Sequence, residues 1–247
     1  MKKTKLIMGM PITIEIVEGA TNEIIDNIFK YFNKIDERFS TYKQNSEISK
    51  INKGLPKSKW SKDMKSILGL CQETKATTNG YFDIYHDGKL DPSGLVKGWA
   101  IYNASKLLQK KRVKNFYIEA GGDIQVDGTD AKKKPWAIGI RNPFNIDEII
   151  KVVQLKNKGM ATSGTYIRGQ HIYNPHSKGQ DITDVRSLTV VATNVYEADR
   201  FATAAFAMGK EGIGFIERMP GLEGYMVDEE KMATFTSGFE RYVLSNA

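Results

Sequence analysis

The order in which two hydrophobic periodicities follow one another constrains the fold of this chain more than any other feature of its sequence. Apolar residues recur at helical spacing in several stretches of the first 110 residues, whereas residues 115–192 contain a series of short strand-like stretches separated by Gly, Asn and Pro. A helical pattern then returns at residues 196–208. Because helices and mostly antiparallel strands come in blocks, the pattern predicts an α+β fold in which a mostly antiparallel sheet packs with several helices.

The clearest helical pattern covers residues 21–38, where apolar side chains form one continuous stripe. Further helices are predicted at 46–52, 61–77, 93–110, 196–208 and 211–217. A first strand is predicted to contain Met8, Gly9 and the alternating Ile12, Ile14 and Ile16. Other strands are predicted at 81–85, 115–119, 123–126, 136–140, 151–155, 160–163, 171–173 and 188–192, with a closing hairpin of 223–227 and 232–236. No linker-like segment or repeat separates these elements, so residues 1–247 are predicted to form a single domain.

The composition indicates a globular chain with a basic surface. With 247 residues, of which 40% are hydrophobic, the chain is long enough to bury a core. The formal net charge of +7 would suit an anionic partner, but the basic residues are spread along the chain. This distribution favours a solvated surface over nucleic-acid binding, and a small phosphate-bearing molecule would use the same charge at a single pocket.

The number of cysteines and the N-terminal residues indicate in which cellular compartment the protein is expected. Cys71 is the one cysteine, so an internal disulfide is excluded, and its helical surroundings indicate a core position. No apolar run approaches the roughly 20 residues that a membrane span requires. Lys2, Lys3 and Lys5 resemble the start of a secretory signal, but a proline and polar residues interrupt the stretch that follows. The expected location is therefore the cytoplasm.

Asp199 and Thr203 lie four residues apart in the predicted helix 196–208. Side chains at this spacing are neighbours on one helix face, with Cβ atoms roughly 6 Å apart, so both oxygens can face one point. A carboxylate, a hydroxyl and a carbonyl oxygen would suit Mg²⁺, which is commonly bound together with substrate phosphates. Taken alone, the pair is more typical of a solvated helix edge or of a hydroxyl that bonds back to its own helix than of a metal site.

Other polar segments are also ambiguous when each is taken alone. The segment 91–100 places a glycine turn at the start of a helix, which would suit either a bound anion or a plain helix cap. Gly121 and Gly122 form a turn that permits close approach of the backbone. His171 falls on a predicted short strand, where a histidine could be structural.

Taken together and in this order, these segments resemble the FAD:protein FMN transferase family, the flavin transferases of ApbE type. The resemblance runs almost from end to end of the chain. It rests on Met8-Gly9, Ser40-Thr41-Tyr42, Ser46 to Asn52, Gly80-Tyr81-Phe82-Asp83, Asp91 to Ala100, Gly121-Gly122-Asp123-Ile124, Ala161-Thr162-Ser163-Gly164, His171-Ile172-Tyr173-Asn174-Pro175, and the helix of Asp199 and Thr203 that ends at Gly209.

The resemblance implies a single-domain α+β enzyme that binds FAD and Mg²⁺ and transfers FMN to a Ser or Thr hydroxyl of an acceptor protein, a covalent flavinylation that releases AMP. It also implies roles for individual residues. His171 matches the family's candidate general base, and the metal ligands would be Asp199, Thr203 and the backbone carbonyl of Gly94. The implied contacts to FAD are Met8, Tyr42, Tyr81, Phe82, Asp83, Asp91, Lys97 and Tyr173.

The implied chemistry is phosphoryl transfer, in which positioning and charge neutralisation do most of the work. A neutral histidine can accept the proton of the acceptor hydroxyl. Two other functions remain open: a FAD pyrophosphatase that yields FMN and AMP, and a non-catalytic FAD-binding module. Asn174, where many family members have an acid, and the short stretch before Asp91 bear on that choice. The sequence does not specify the acceptor, the oligomeric state, the number of cations, or Mg²⁺ over Mn²⁺.

Overall fold

The computed structural model of the chain describes residues 1–165, 172–177 and 180–244. Within these ranges the α-helices are α1 (Asn22–Phe39), α2 (Glu47–Asn52), α3 (Lys62–Thr77), α4 (Ser93–Lys110), α5 (Val195–Ala207) and α6 (Gly212–Arg218). The strands are β1 (Lys2–Ile7), β2 (Met10–Ile16), β3 (Tyr85–His86), β4 (Lys89–Leu90), β5 (Phe116–Ala120), β6 (Asp123–Asp127), β7 (Trp136–Asn142), β8 (Asn145–Leu155), β9 (Lys158–Gly164), β10 (Val185–Ala192), β11 (Glu223–Asp228) and β12 (Ala233–Phe235).

The central sheet has eight strands in the order β1-β2-β5-β6-β9-β10-β11-β12. Every neighbouring pair in it is antiparallel. Two hairpins lie outside this sheet, β3 with β4 and β7 with β8. The predicted α+β fold with a mostly antiparallel sheet is therefore confirmed.

Helices cover one face of the sheet, and the β7–β8 hairpin covers the other. Ile12 and Ile14 of β2 and Ile118 of β5 are fully buried in the cluster that contains α1 and α4. On the opposite face, Val126 of β6 packs with Trp136 and other side chains of the hairpin. Because strand side chains alternate between faces, each strand in the middle of the sheet contributes to both cores.

Buried polar residues interrupt the helix-facing side of β6. Asp123 and Gln125 alternate with the apolar Ile124 and Val126, so they point toward α4 and α5. Asp123 is 0% exposed and Gln125 is 3% exposed. Buried polar side chains require partners, and those of this pair are the side chain of Lys97 on α4 and the backbone of Val195 at the start of α5.

Met8 and Gly9 form the turn between β1 and β2, which corrects the prediction that they lie within the first strand. Their φ angles are +57° and +73°, and Ile7 pairs directly with Met10. A two-residue hairpin turn with positive φ at both positions matches the twist of the flanking strands. The lysine-rich start that resembled a secretory signal is accordingly the edge strand β1.

Two other predicted strands are wrong in part. In the predicted strand 81–85, only Tyr85 is in a strand, within the two-residue hairpin pair of β3 and β4. Of the predicted strand 171–173, Ile172 and Tyr173 have no strand conformation, and His171 lies outside the described residues. Tyr81, Phe82 and Tyr173 in these segments line the cavity described below and do not pair with a neighbouring strand, which explains their strand-like composition.

Candidate functional site

The site is built where α4 and α5 cross at close range. The backbone N–H of Gly98 donates a hydrogen bond of 2.7 Å to Oδ2 of Asp199. A Cβ atom added at Gly98 would lie 2.6 Å from Cβ of Asp199 and 2.8 Å from the carbonyl oxygen of Val195. Only a residue without a side chain permits this approach, and the approach carries the Asp199 carboxylate into the interface between the helices.

Thr203 and Gly94 complete a group of oxygen atoms one turn along each helix. The Thr203 hydroxyl lies 3.3 Å from the carbonyl oxygen of Gly94 and donates to it. Asp199 is on the same face of α5, because it lies four residues before Thr203. A carboxylate, a hydroxyl and a backbone carbonyl thus come from two helices that are about 100 residues apart in sequence.

Lys97 lies between two buried carboxylates. Its Nζ is 2.8 Å from Oδ2 of Asp123 and 4.0 Å from Oδ1 of Asp199. Burial raises the pKa of Asp199 well above its usual value, and the nearby Asp123 raises that pKa further. The Lys97 ammonium and the Gly98 N–H act in the opposite direction and lower the pKa. The electrostatic balance around Asp199 therefore depends on where the Lys97 ammonium lies.

Strand β6 fixes the two helices relative to the sheet. Asp123 binds Lys97 of α4, and its Oδ1 accepts a bond of 3.3 Å from the backbone N–H of Thr162. Gln125 Oε1 accepts a 2.9 Å bond from the backbone N–H of Val195, the first residue of α5. One strand thus holds both helices that supply the oxygen group.

A cavity of about 620 Å³ opens beside this oxygen group. Its size lies within the roughly 300–1,000 Å³ of ligand and cofactor sites. The predicted site residues that line it are Tyr81, Phe82, Asp83, Asp91, Gly94, Lys97, Tyr173, Asp199 and Thr203. These residues come from α4, α5 and the loops near the β3–β4 hairpin, and the fold brings them to one place.

Aromatic and polar contacts connect two segments at the edge of the cavity. The Tyr173 hydroxyl donates a 2.7 Å hydrogen bond to the carbonyl oxygen of Asp83. The ring of His86 stacks on that of Tyr173 with centroids 4.0 Å apart. Partial burial and the carboxylates of the neighbouring Asp83, Asp91 and Asp87 raise the pKa of Tyr173 to about 12. The phenol therefore remains a hydrogen-bond donor at neutral pH.

A second contact joins the same two segments. His176 Nε2 lies 2.9 Å from the carbonyl oxygen of Asn79, and the His176 ring meets the ring of Tyr81 edge-on with centroids 4.5 Å apart. Asn174 turns the chain between Tyr173 and His176, because its Oδ1 accepts the backbone N–H of His176 at 2.9 Å. Residues 172–177 are thus anchored to the loop that precedes β3.

Asn52 is a cavity residue to which the sequence assigned no role. Its side-chain amide donates to the carbonyl oxygen of Leu90 at 2.9 Å and accepts the N–H of Leu90 at 2.8 Å. These two hydrogen bonds to Leu90 fix the end of β4, immediately before Asp91 and the start of α4. The sequence also did not identify Asp123 and Gln125 as site residues. The sequence feature that could have identified them is the placement of two polar residues at alternate positions of a strand whose intervening residues are apolar.

Two of the predicted site residues that the structure describes are not among those that line the cavity. Met8, in the β1–β2 turn, packs against the core that contains α1 and α4. Tyr42 is 95% exposed, although the preceding Thr41 lines the cavity. His171 lies outside the described residues.

The oxygen group fits a hard cation better than a soft one. In residues 1–165, 172–177 and 180–244, no group of three or more His, Cys, Asp or Glu side chains has the geometry of a metal site. The donors that converge are one carboxylate, one hydroxyl and one carbonyl oxygen, and magnesium is commonly bound by one or two carboxylates while retaining several waters. The residues present therefore fit Mg²⁺ bound partly by water or by a ligand.

Among the described residues, no helix has both the length and the apolar character needed to cross a bilayer.

The sequence model of the ApbE family matches residues 8–87 and 85–226 of this chain. A protein of Klebsiella pneumoniae (strain 342) named FAD:protein FMN transferase is 28% identical over 151 residues, which are 57% of this chain and 43% of that protein. A Vibrio cholerae protein of the same name is 28% identical over 168 residues, which are 64% of this chain and 48% of that protein. The match thus spans less than half the length of each of these curated relatives.

Solved structures share the architecture. The crystal structure of an ApbE protein from Thermotoga maritima matches with a TM-score of 0.88 and 23% identity, over 99% of this chain and 99% of that one. The flavin transferase ApbE from Vibrio cholerae matches with a TM-score of 0.86 and 20% identity, over 98% of both chains. At these identities the likeness establishes the fold.

Proposed function

This chain belongs to the ApbE family, and we propose that it is a FAD:protein FMN transferase that moves FMN from FAD to a Ser or Thr hydroxyl of an acceptor protein, with Mg²⁺ bound. The acceptor oxygen forms a new bond to the phosphorus on the FMN side of the diphosphate. The bond from that phosphorus to the AMP oxygen breaks, and AMP leaves. The names of the curated relatives support this activity.

The observation that carries the proposal is the cavity that unites the predicted flavin contacts with the oxygen group. Tyr81, Phe82 and Tyr173 contribute aromatic side chains to its wall, and Gly94, Asp199 and Thr203 contribute the oxygens. Aromatic rings can pack on the flavin or the adenine by offset stacking. A dinucleotide such as FAD needs this combination of aromatic surface and a polar site for its diphosphate.

The diphosphate would lie near the start of α4. Ser93 and Gly94 line the cavity at the first turn of this 18-residue helix, where the helix dipole favours negative charge. Lys97, one turn later, lines the same cavity and carries a positive charge. These residues would bind and orient the phosphates.

Asp199, Thr203 and the Gly94 carbonyl would hold the magnesium ion. When bound, Mg²⁺ neutralises charge that develops on the transferring phosphoryl group. The Gly98 N–H, by binding Asp199 Oδ2, leaves the other carboxylate oxygen, Oδ1, to face Lys97 and the cavity. The chain's own contribution here is to hold the ligand oxygens in place before a cation arrives.

His171 is the proposed general base. In this role its neutral imidazole accepts the proton of the acceptor hydroxyl as the new bond to phosphorus forms. Tyr173, two residues later in the chain, lines the cavity and is held by its hydrogen bond to Asp83. That anchor supports an arrangement in which the histidine segment serves the same cavity.

The direct test incubates the protein with FAD, Mg²⁺ and candidate acceptor proteins, and looks for a fluorescent covalent flavin band and for released AMP. Transfer to a Ser or Thr of one acceptor, abolished by replacing that residue with Ala, is the expected result. Release of FMN and AMP at a rate that no acceptor changes would establish a FAD pyrophosphatase instead. Tight FAD binding without turnover under any metal would indicate a binding module.

A further inference from the structure

Lys97 is held by a carboxylate that has not been assigned any role in the reaction. Its Nζ is 2.8 Å from Asp123 Oδ2, whereas Oδ1 of Asp199 is 4.0 Å away. The lysine side chain itself is 16% exposed, and those of Asp123 and Asp199 are 0% and 5% exposed. The ammonium therefore lies between two buried acids and pairs closely with only one of them.

Asp123 and Lys97 reach their ion pair from different elements. Asp123 lies on a central strand, and its second oxygen accepts the backbone N–H of Thr162. Lys97 reaches the ion pair through four flexible methylene groups from α4. A small rotation of that side chain would be enough to close the 4.0 Å separation from Asp199.

The position of this ammonium matters because one oxygen of Asp199 is already used. Oδ2 accepts the Gly98 N–H at 2.7 Å, and Oδ1 is the oxygen nearest to Lys97 and the one through which Asp199 would bind a cation. An ammonium in direct contact with Oδ1 would occupy the position of a cation and repel it.

We propose that Asp123 is a positioning residue that holds the Lys97 ammonium away from Asp199, so that the Asp199 carboxylate stays open to a divalent cation. This inference rests on the proposed function in one respect, the assignment of Asp199 as a metal ligand. It adds a role for Asp123 that acts through Lys97 and requires no contact of Asp123 with FAD or with the cation.

The test measures Mn²⁺ binding by electron paramagnetic resonance, without FAD or an acceptor. Asp123→Asn keeps the size of the side chain and an oxygen for the Thr162 N–H but removes the charge that holds Lys97. We expect its dissociation constant for Mn²⁺ to rise about tenfold, because Lys97 then pairs with Asp199. The matched control is Asp127→Asn, which removes a charge from the same strand at a residue bound to Gln109, near the end of α4; its Mn²⁺ affinity should equal that of the wild type.

Two further measurements separate restraint of Lys97 from a general loss of negative charge. In a crystal structure of Asp123→Asn, the Lys97 Nζ should move from the present 4.0 Å to hydrogen-bond distance, about 3 Å, from Asp199 Oδ1. The double variant Asp123→Asn/Lys97→Met, which removes the competing ammonium together with its partner, should bind Mn²⁺ about as tightly as the wild type. The double variant also covers the case in which Asp123→Asn alone does not fold, because it removes the Lys97 ammonium together with its Asp123 partner.

Unchanged Mn²⁺ affinity in Asp123→Asn would overturn the inference, as would a Lys97 side chain that stays in place in the variant crystal. A double variant that binds Mn²⁺ poorly would also overturn it, since the Asp123 carboxylate would then contribute to cation binding directly and not through Lys97. A wild-type protein that binds no Mn²⁺ removes the basis of the inference and overturns it. A wild-type protein that binds Mn²⁺ and shows the expected variant effects, but transfers no flavin, overturns only the proposed function.

Discussion

Gly98 and Asp199, which are 101 residues apart in sequence, are joined by a buried hydrogen bond of 2.7 Å from the backbone N–H to Oδ2. This bond sets the distance between α4 and α5 and hence the spacing of the oxygen atoms that the two helices contribute. It also orients the Asp199 carboxylate, because one of its oxygens is fixed to the neighbouring backbone.

Gly98→Ala should therefore damage both stability and activity. The new methyl group would lie 2.6 Å from Cβ of Asp199 and 2.8 Å from a backbone oxygen, so the helices must move apart. We expect a loss of about 1–3 kcal/mol in the free energy of unfolding, measured by urea titration, and a clear loss of flavin transfer. Gly69→Ala in α3 is the control: nothing lies within 4 Å of the added Cβ, and stability should rise slightly. Equal stability of the two variants would show that the helix crossing tolerates the added methyl group.

Asp199→Asn should separate stability from function. In the absence of metal, burial and Asp123 disfavour the charged form and raise the pKa of Asp199, so a neutral amide of the same shape relieves this cost. We expect the metal-free variant to be more stable than the wild type at neutral pH, by urea titration. Its Mg²⁺-dependent flavin transfer should fall by about 100-fold or more. Undiminished AMP release would remove Asp199 from the set of proposed metal ligands.

Thr203→Val tests the hydroxyl with almost no change of shape. The Thr203 hydroxyl donates to the Gly94 carbonyl at 3.3 Å and faces the cavity. We expect flavin transfer to fall by about tenfold to 100-fold, with a higher Mg²⁺ concentration needed for half-maximal rate. Thr203→Ser retains the hydroxyl and is the matched control, so its Mg²⁺ requirement should stay close to that of the wild type. A valine variant with the wild-type Mg²⁺ requirement would contradict the assignment.

Tyr173→Phe should change the pH dependence of stability at alkaline pH. The pKa of Tyr173 is raised from 10.0 to about 12, so the folded protein holds the phenolic proton more tightly than the unfolded chain. The wild type therefore gains its full stabilisation from this group below pH 10 and loses it as the pH rises toward 12. The free energy of unfolding should fall more steeply with pH in the wild type than in Tyr173→Phe over this window. Parallel curves would show that the Tyr173 phenol titrates as it does in the unfolded chain.

At neutral pH the same variant loses the bond from the Tyr173 hydroxyl to the Asp83 carbonyl. We expect a loss of about 0.5–1.5 kcal/mol in stability and a few-fold rise in KM for FAD. The stacking of the ring on His86 does not need the hydroxyl, so the cavity should keep its shape. Tyr102→Phe, in α4, provides a control that removes a hydroxyl from a half-buried residue outside the cavity lining.

The sequence predicted most elements well because their patterns are local. The stripe of residues 21–38 became α1, and the alternating isoleucines became β2. The predicted strands that were wrong in part, 81–85 and 171–173, contain aromatic residues. Strand propensity measures how well a residue fits a half-buried surface, and the wall of a cavity offers such a surface without a partner strand.

The sequence by itself determined the helices, most strands, the α+β class and, through the order of its motifs, the family. It also named nine of the residues that line the cavity. The tertiary structure alone decided that Asn52 fixes Leu90, that Gln125 holds the start of α5, and that Asp123 pairs with Lys97. Periodicity and capping depend on neighbours within a few residues, whereas these contacts join residues from 26 to 70 positions apart, whose approach is fixed only when the helices pack on the sheet.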